Sequence, residues 1–207
     1  MGKMDEMIVV APREQVFARE ARTFHGVQDE QGQIQEILGT IADTYTEKRR
    51  GDAEEDPSWK QPIPYVVIRK GEKLYAYERL AGGGEGRLHN KLSLGFGGHM
   101  NAEAGVSTFQ ELLHTNADRE LEEELHISSL EEAEMQALGL INDDNNAVGE
   151  VHLGILYTFV LPEHVDVQVK ETEQIRGFWT NVEELSQPEI YERLETWSQF
   201  VVDILDK

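Results

Sequence analysis

Three glutamates, Glu120, Glu123 and Glu124, fall within the run Arg119-Glu120-Leu121-Glu122-Glu123-Glu124-Leu125. On a helix, at 100° per residue, Glu123 and Glu124 flank Glu120 within an arc of about 100°, and Glu122 points the other way. Ala117, Leu121 and Leu125 form an apolar stripe beside the acids, able to anchor such a helix in a core. Like charges at these spacings cost a helix roughly 0.2–0.5 kcal/mol per pair. A bound Mg²⁺ or Mn²⁺, a hard cation that takes oxygen ligands, reverses the sign of that cost. A solvated acidic face would show the same triplet, so the surrounding residues decide between the two.

The elements that must position these acids are readable on either side. Ser107-Thr108-Phe109-Gln110-Glu111 has the form of a capping box, and predicts a helix over 108–125. A strand over 92–96 leads into Gly97-Gly98-His99. Two strands, 64–69 and 73–77, form a hairpin joined at Lys70-Gly71-Glu72. Ile34, Ile37, Leu38, Ile41, Ala42 and Tyr45 recur with the period of an amphipathic helix. Earlier in the chain, 7–10 reads as a strand, 13–19 as a turn or two of helix and 50–57 as a charged loop. Later strands are expected at 137–141, 151–160, 165–169 and 177–180. Asn181 should cap a short helix over 182–185. A last helix is expected from Pro188, carrying Ile190, Leu194, Trp197, Val201 and Ile204 on one face.

The charge is strongly negative, −21 formally, which argues against binding to nucleic-acid backbones and for solubility. There is no cysteine, so thiol nucleophiles, thiolate metal sites and disulfides are excluded. The first residues lack the apolar run of a signal peptide, and no stretch is apolar enough to span a bilayer; a cytoplasmic location is expected. Between Arg69 and Lys91 the balance turns basic: Arg69, Lys70, Lys73, Arg79, Arg87 and Lys91 against Glu72, Glu78 and Glu85. A basic strip beside a metal-binding acid cluster suits a phosphorylated substrate. Arg79 and Arg87 are the expected phosphate contacts, with Phe96, Tyr65 or Tyr77 available to stack on a base; Lys70 and Lys73 read as ordinary exposed strand lysines. The loop over 81–86 is rich in glycine but lacks the Gly-Lys-Ser/Thr ending of a P-loop. The loop at Asp143 to Asn146 reads as a turn.

Taken together, Gly105-x5-Glu111-x7-Arg119-Glu120-Leu121-x-Glu123-Glu124-x-His126-Ile127 resembles the Nudix box, G-x5-E-x7-R-E-U-x-E-E-x-G-U, with U aliphatic. Gly97-Gly98-His99 and Gly177-Phe178-Trp179-Thr180 extend the likeness to about residues 60–187. The whole chain resembles a bacterial group of predicted-phosphoesterase Nudix proteins, through Lys60 to Tyr65, Leu92 to His99 and Leu140 to Asp144. Two features depart from the pattern. His126 stands where a glycine usually ends the helix in a left-handed conformation. The Gly97-Gly98 pair lies seven residues too early, so either Gly98 or Gly105 opens the box. The capping-box reading of Glu111 also takes it away from the family role of bracing Arg119.

The resemblance implies an α/β/α sandwich with a mixed sheet, residues 1–59 forming an N-terminal extension packed on the core and 60–207 the Nudix domain with its C-terminal helix. It implies a Mg²⁺- or Mn²⁺-dependent hydrolase that cleaves a phosphoanhydride in a nucleoside-diphosphate-linked small molecule. Glu120, Glu123 and Glu124 would hold the metal, with the Gly98 (or Gly97) carbonyl as a further ligand, and Arg119 would orient the helix or loop. Glu173, or its neighbour Glu171, is the expected general base, with His99 and His152 as alternatives. Dimers are common in the family. A non-catalytic sensor of a nucleotide or ADP-ribose-like ligand is the alternative, although such proteins often lose box acids. An isoprenoid-diphosphate isomerase commonly needs a cysteine that this chain lacks.

Overall fold

The computed structural model describes residues 2–80, 89–129 and 134–206. The glycine-rich 81–86 loop and Arg87 lie outside them. The fold is mixed α+β, with a large mixed sheet and helices. In chain order the elements are β1 (Met7–Pro12), α1 (Arg13–Val16), β2 (Gly26–Gln28), α2 (Gln31–Thr44), β3 (Thr46–Arg49), α3 (Arg50–Ala53) and β4 (Trp59–Lys70). There follow β5 (Lys73–Arg79), β6 (Leu92–Ser93), β7 (Gly95–Phe96), α4 (Phe109–Glu124), β8 (Leu125–Ile127) and β9 (Glu134–Asn142). Last come α5 (Ala147–Val151), β10 (His152–Val160), β11 (Val167–Val169), β12 (Ile175–Asn181), α6 (Val182–Leu185), α7 (Pro188–Tyr191) and α8 (Thr196–Leu205). The described residues fall into two compact units, one drawn from 1–65, 97–118 and 138–156, the other from 66–96, 119–137 and 157–207.

In the first unit β1 pairs antiparallel with β3, Met7 opposite Arg49 and Val10 opposite Thr46, and then with the start of β4. Ile8, Val10 and Ala53 are buried together, with Trp59 packed against them. The amphipathic helix forms as its periodicity requires: Glu30 caps α2 by accepting from the N–H groups of Gly32 and Gln33, and Ile34, Ile37 and Ile41 are buried. The stretch expected as a loop from Arg50 instead begins with the short helix α3, tied down by Arg50 N donating to the Glu6 carbonyl at 2.8 Å. The helix expected over 13–19 stops at Val16, because Ala18, Arg19 and Glu20 all take positive φ (47°, 54° and 68°). Asp143 closes its own turn, accepting from Asn145 N at 3.1 Å and Asn146 Nδ2 at 2.7 Å.

In the second unit β4 and β5 form the expected hairpin, Arg69 opposite Leu74, with Gly71 at φ +56° making the turn. Along β12, Ile175 to Asn181 pair with Arg79 back to Lys73. Asn181 caps α6 as its position predicts, accepting from Glu184 N at 2.8 Å. Two expectations are corrected. The final helix is broken into α7 and α8: Leu194 bridges to Leu92, and Glu195 N donates to the Leu92 carbonyl at 2.8 Å, so the chain pauses to pair before turning helical again. Lys70 is buried, its Nζ donating to the Val165 carbonyl at 2.7 Å and lying 4.8 Å from the Trp179 ring centre.

Candidate active site

The acidic helix is capped as its sequence requires. Ser107 N and Thr108 N donate to the Glu111 carboxylate at 2.9 and 3.1 Å, and Glu111 N donates to Thr108 Oγ1 at 3.2 Å. These backbone donors hold the Glu111 pKa below its ordinary value. Leu112, Leu113, Asn116, Ala117 and Leu121 are buried along the helix. That register leaves Glu122 and Glu123 exposed, and Glu120 and Glu124 partly covered.

At the C-terminal end the helix runs directly into β8 rather than into a left-handed cap. His126 is extended and pairs with Gln168. The β8–β11 pairing aligns Leu125 with Val169, and Lys170 N donates to the Glu124 carbonyl at 2.8 Å. Lys170 Nζ also reaches the Glu122 carbonyl. The turn bearing Glu171 and Glu173 is thereby fastened to the end of the acidic helix, and it is closed by Gln174 N and Ile175 N, which donate to the Glu171 carbonyl.

Arg119 faces two of the acids, with Nη1 2.8 Å from Glu120 and 3.1 Å from Glu123. Burial works against the Arg119 charge, but Glu120 and Glu123 outweigh it and raise its pKa. Glu124 has the opposite experience. Burial, then the Glu120 charge, push its pKa up to about 7; Arg79 pulls it back, and Glu171 and Glu123 add to the rise. Arg79 itself donates from Nε to Glu195 at 2.5 Å and from Nη2 to the Tyr77 hydroxyl at 3.2 Å. The second unit thus gathers Glu120, Glu123, Glu124, Arg119, Arg79 and Glu171 by contact or by charge. Glu173 lies exposed in the same turn as Glu171.

Most of the other residues singled out from the sequence are buried or paired in their own units. Phe96 is fully buried, its ring centre 4.9 Å from that of Tyr77 and 6.1 Å from that of Tyr75. Tyr65 and Tyr77 are buried too. Of the basic strip, Lys91 donates to the Glu192 carbonyl at 3.0 Å and Arg69 to the Gly71 carbonyl at 2.7 Å. Gly98 belongs to the first unit, between Gly97 and His99. A Cβ on Gly97 would fall 1.8 Å from the Pro64 carbonyl oxygen, so the glycine there is required by close backbone approach. Gly105 has φ +87° with open space around it.

His99 and His152 meet in the first unit, together with Glu54, a residue the sequence reading passed over. It sits at the C-terminal cap of α3, in a charged stretch whose spacing to either histidine has no period. The two Nε2 atoms are 3.2 Å apart, and Glu54 Oε1 is 3.2 Å from His99 Nε2. His99, with the coulombic pull of His152 and Arg50 added, depresses the Glu54 pKa to about 2 despite its burial. Burial and His99 lower that of His152 to about 4. Among the described residues this is the one set of three His, Asp or Glu side chains whose ligand atoms all lie within 4.8 Å of one another.

The second unit offers carboxylate oxygens, the donor type that a hard divalent cation takes. Glu124 is a partly buried carboxylate crowded by like charges, and a cation would relieve that crowding. No protein-family model matches the sequence. Over 206 residues the chain is 61% identical to Protein YmaB of Bacillus subtilis (strain 168), covering all of both chains. It is 30% identical to the crystal structure of Tm1382, a protein assigned to the Nudix hydrolases, over 97% of this chain and 98% of that one, with a TM-score of 0.77. A MutT Nudix hydrolase from Burkholderia pseudomallei aligns over 70% of this chain and 96% of its own, at 18% identity and a TM-score of 0.50, a likeness of fold.

Proposed function

We propose, from the premise that this chain belongs to the Nudix family, that it is a divalent-metal-dependent hydrolase of a phosphoanhydride bond in a nucleoside-diphosphate-linked or related small molecule. The observation that carries the reading is the Glu124 environment: a partly buried carboxylate beside Glu120, Glu123 and Glu171, whose crowding Arg79 offsets only in part. Such an arrangement costs stability unless further positive charge arrives, and a divalent metal ion would supply it.

Glu120, Glu123 and Glu124 would hold Mg²⁺ or Mn²⁺. The metal, when bound, neutralises phosphate oxygens and lowers the pKa of a coordinated water. Arg119 is a positioning residue: its guanidinium fixes the rotamers of Glu120 and Glu123 and tempers their mutual repulsion. Arg79, partly buried and oriented by Glu195 and Tyr77, is the phosphate contact. The general base comes from the turn fastened to the helix end. Glu173 is the residue expected there, and Glu171 is its neighbour whose charge reaches Glu124. Water attacks phosphorus, its proton passes to that carboxylate, and the phosphoanhydride oxygen leaves with the other half of the substrate.

A panel of nucleoside triphosphates, ADP-ribose, NADH, diadenosine polyphosphates and nucleotide sugars tests this, assayed with Mg²⁺, with Mn²⁺ and with EDTA. Cleavage of one member that disappears in EDTA is the expected result. A ligand that raises the melting temperature without being cleaved under any condition would replace the hydrolase with a sensor.

A further inference from the structure

His152 opens β10, held by what precedes it. Asn146 caps α5 by accepting from Gly149 N, and Gly149 packs so closely that a Cβ there would lie 1.7 Å from the Asp143 carbonyl oxygen. His99 stands in a loop tied on its C-terminal side. Val9 N donates to the Met100 carbonyl at 2.8 Å, Asn101 N donates to Asn116 Oδ1 at 2.9 Å, and Asn116 Nδ2 returns a bond to the Asn101 carbonyl. Glu54 is fixed by Glu54 N donating to the Arg50 carbonyl at 2.9 Å. Three separate segments of the first unit therefore aim one donor group each at a common point.

The protons can be counted. His152 Nδ1 lies 2.6 Å from the Val148 carbonyl, which can only accept, so Nδ1 carries the hydrogen and the neutral ring presents a lone pair at Nε2. That lone pair faces His99 Nε2 at 3.2 Å, and His99 Nε2 also faces Glu54 Oε1 at 3.2 Å. A single N–H on His99 can fully satisfy one of these two acceptors. A cation at the centre satisfies all three groups. The spacing suits one, since ligand bonds of about 2.1 Å put neighbouring donors about 3.0–3.4 Å apart in octahedral or tetrahedral geometry. The third pair is wider, with His152 Nε2 4.0 Å from the other carboxylate oxygen of Glu54, Oε2. The Nδ1–H bond to a backbone carbonyl is also the usual way that a metal-binding histidine is oriented.

We propose that Glu54, His99 and His152 form a two-histidine, one-carboxylate site for a borderline transition-metal dication of the Zn²⁺ class, with a coordination position left open for water or an anion. The ligand chemistry excludes Mg²⁺. Two imidazole nitrogens are poor partners for that ion, and the one carboxylate already has Arg50 Nε 3.5 Å from its Oε1, so little net negative charge is on offer. This separates the site in kind from the all-oxygen set of Glu120, Glu123 and Glu124.

The test uses the full-length chain carrying Glu120→Gln, Glu123→Gln and Glu124→Gln, stripped of metal and titrated with Co²⁺ as a spectroscopic substitute for Zn²⁺. One equivalent should bind, with the intense visible absorption of a low-coordinate site, and millimolar Mg²⁺ should not displace it. Adding His99→Ala or Glu54→Gln should weaken binding more than about 100-fold, beyond the loss typical of an outer-shell change. A second measurement needs no variant: ¹⁵N spectra of wild-type imidazoles with and without Zn²⁺ should move Nε2 of His99 and His152 and leave the His152 Nδ1–H in place. Absence of Co²⁺ uptake, displacement by Mg²⁺, uptake undiminished in His99→Ala, or unmoved Nε2 signals would each overturn the proposal.

Discussion

Glu124 and Glu54 are both partly buried glutamates, yet their surroundings drive them in opposite directions. Glu124, in the second unit, keeps company with Glu120, Glu123 and Glu171, and its pKa rises to about 7. Glu54, in the first unit, has His99, His152 and Arg50 around it, and its pKa falls to about 2. Burial alone would raise both; the sign of the neighbours decides the outcome. Where the neighbours are acids, the carboxylate lacks positive charge, and the proposed hard cation would supply it. Where they are imidazoles, the carboxylate is already stabilised, and a metal there must compete on nitrogen affinity.

Replacing all three second-unit carboxylates (Glu120→Gln, Glu123→Gln and Glu124→Gln) should reduce Mg²⁺-dependent turnover more than about a hundredfold while circular dichroism stays native. Turnover that survived the triple change would place the chemistry elsewhere.

The two glutamates should also give opposite pH dependences of stability. Folded, Glu124 holds its proton up to about 7, whereas the unfolded chain releases it near 4.5, so across that window the folded state binds more protons and loses stability as pH rises. Metal-free Glu124→Gln should therefore gain on wild type from pH 4.5 to 7, by at most about 3 kcal/mol, and added Mg²⁺ should reverse the advantage. Glu54 releases its proton near 2 when folded, so its contribution is complete above 4.5 and is lost as pH falls through 2. Glu54→Gln should be less stable than wild type at neutral pH and converge with it in acid. Denaturant melts at several pH values, in EDTA, would show both trends; parallel slopes would refute the contrast.

The smallest effect belongs to the cap. Glu111→Ala removes the acceptor for Ser107 N and Thr108 N and should cost about 0.5–2 kcal/mol in a chemical melt, with Arg119 pairing unaltered. A loss of activity out of proportion to that cost would return Glu111 to the role the family pattern suggests.

Legibility from sequence followed the range of the interactions involved. The α4 register, with Leu121 inward and Glu122 outward, is written in the helical period, and the cap at Ser107 to Glu111 in residues three and four apart. The β4–β5 hairpin and the Asn181 cap are equally local. What escaped depends on partners distant in sequence. The split between α7 and α8 follows from Leu194 meeting Leu92. His126 is extended because β11 pairs with it. Lys70, an ordinary strand lysine by its neighbours, is buried because a carbonyl at Val165 and the Trp179 ring receive it. Glu54 carries no local mark at all; only the meeting of α3, the Gly98-His99 loop and the start of β10 gives it partners.

The most direct measurement compares two single variants of one helix, Glu124→Gln and Glu122→Gln, in Mg²⁺-dependent hydrolysis of whichever panel substrate the wild type cleaves. Each replaces a carboxyl group within the same helical turn, but only Glu124 lies on the face shared with Glu120 and Arg79. Glu124→Gln should lose more than about tenfold in rate and Glu122→Gln should stay within about twofold of wild type. Equal rates for the two variants would remove Glu124 from the metal site.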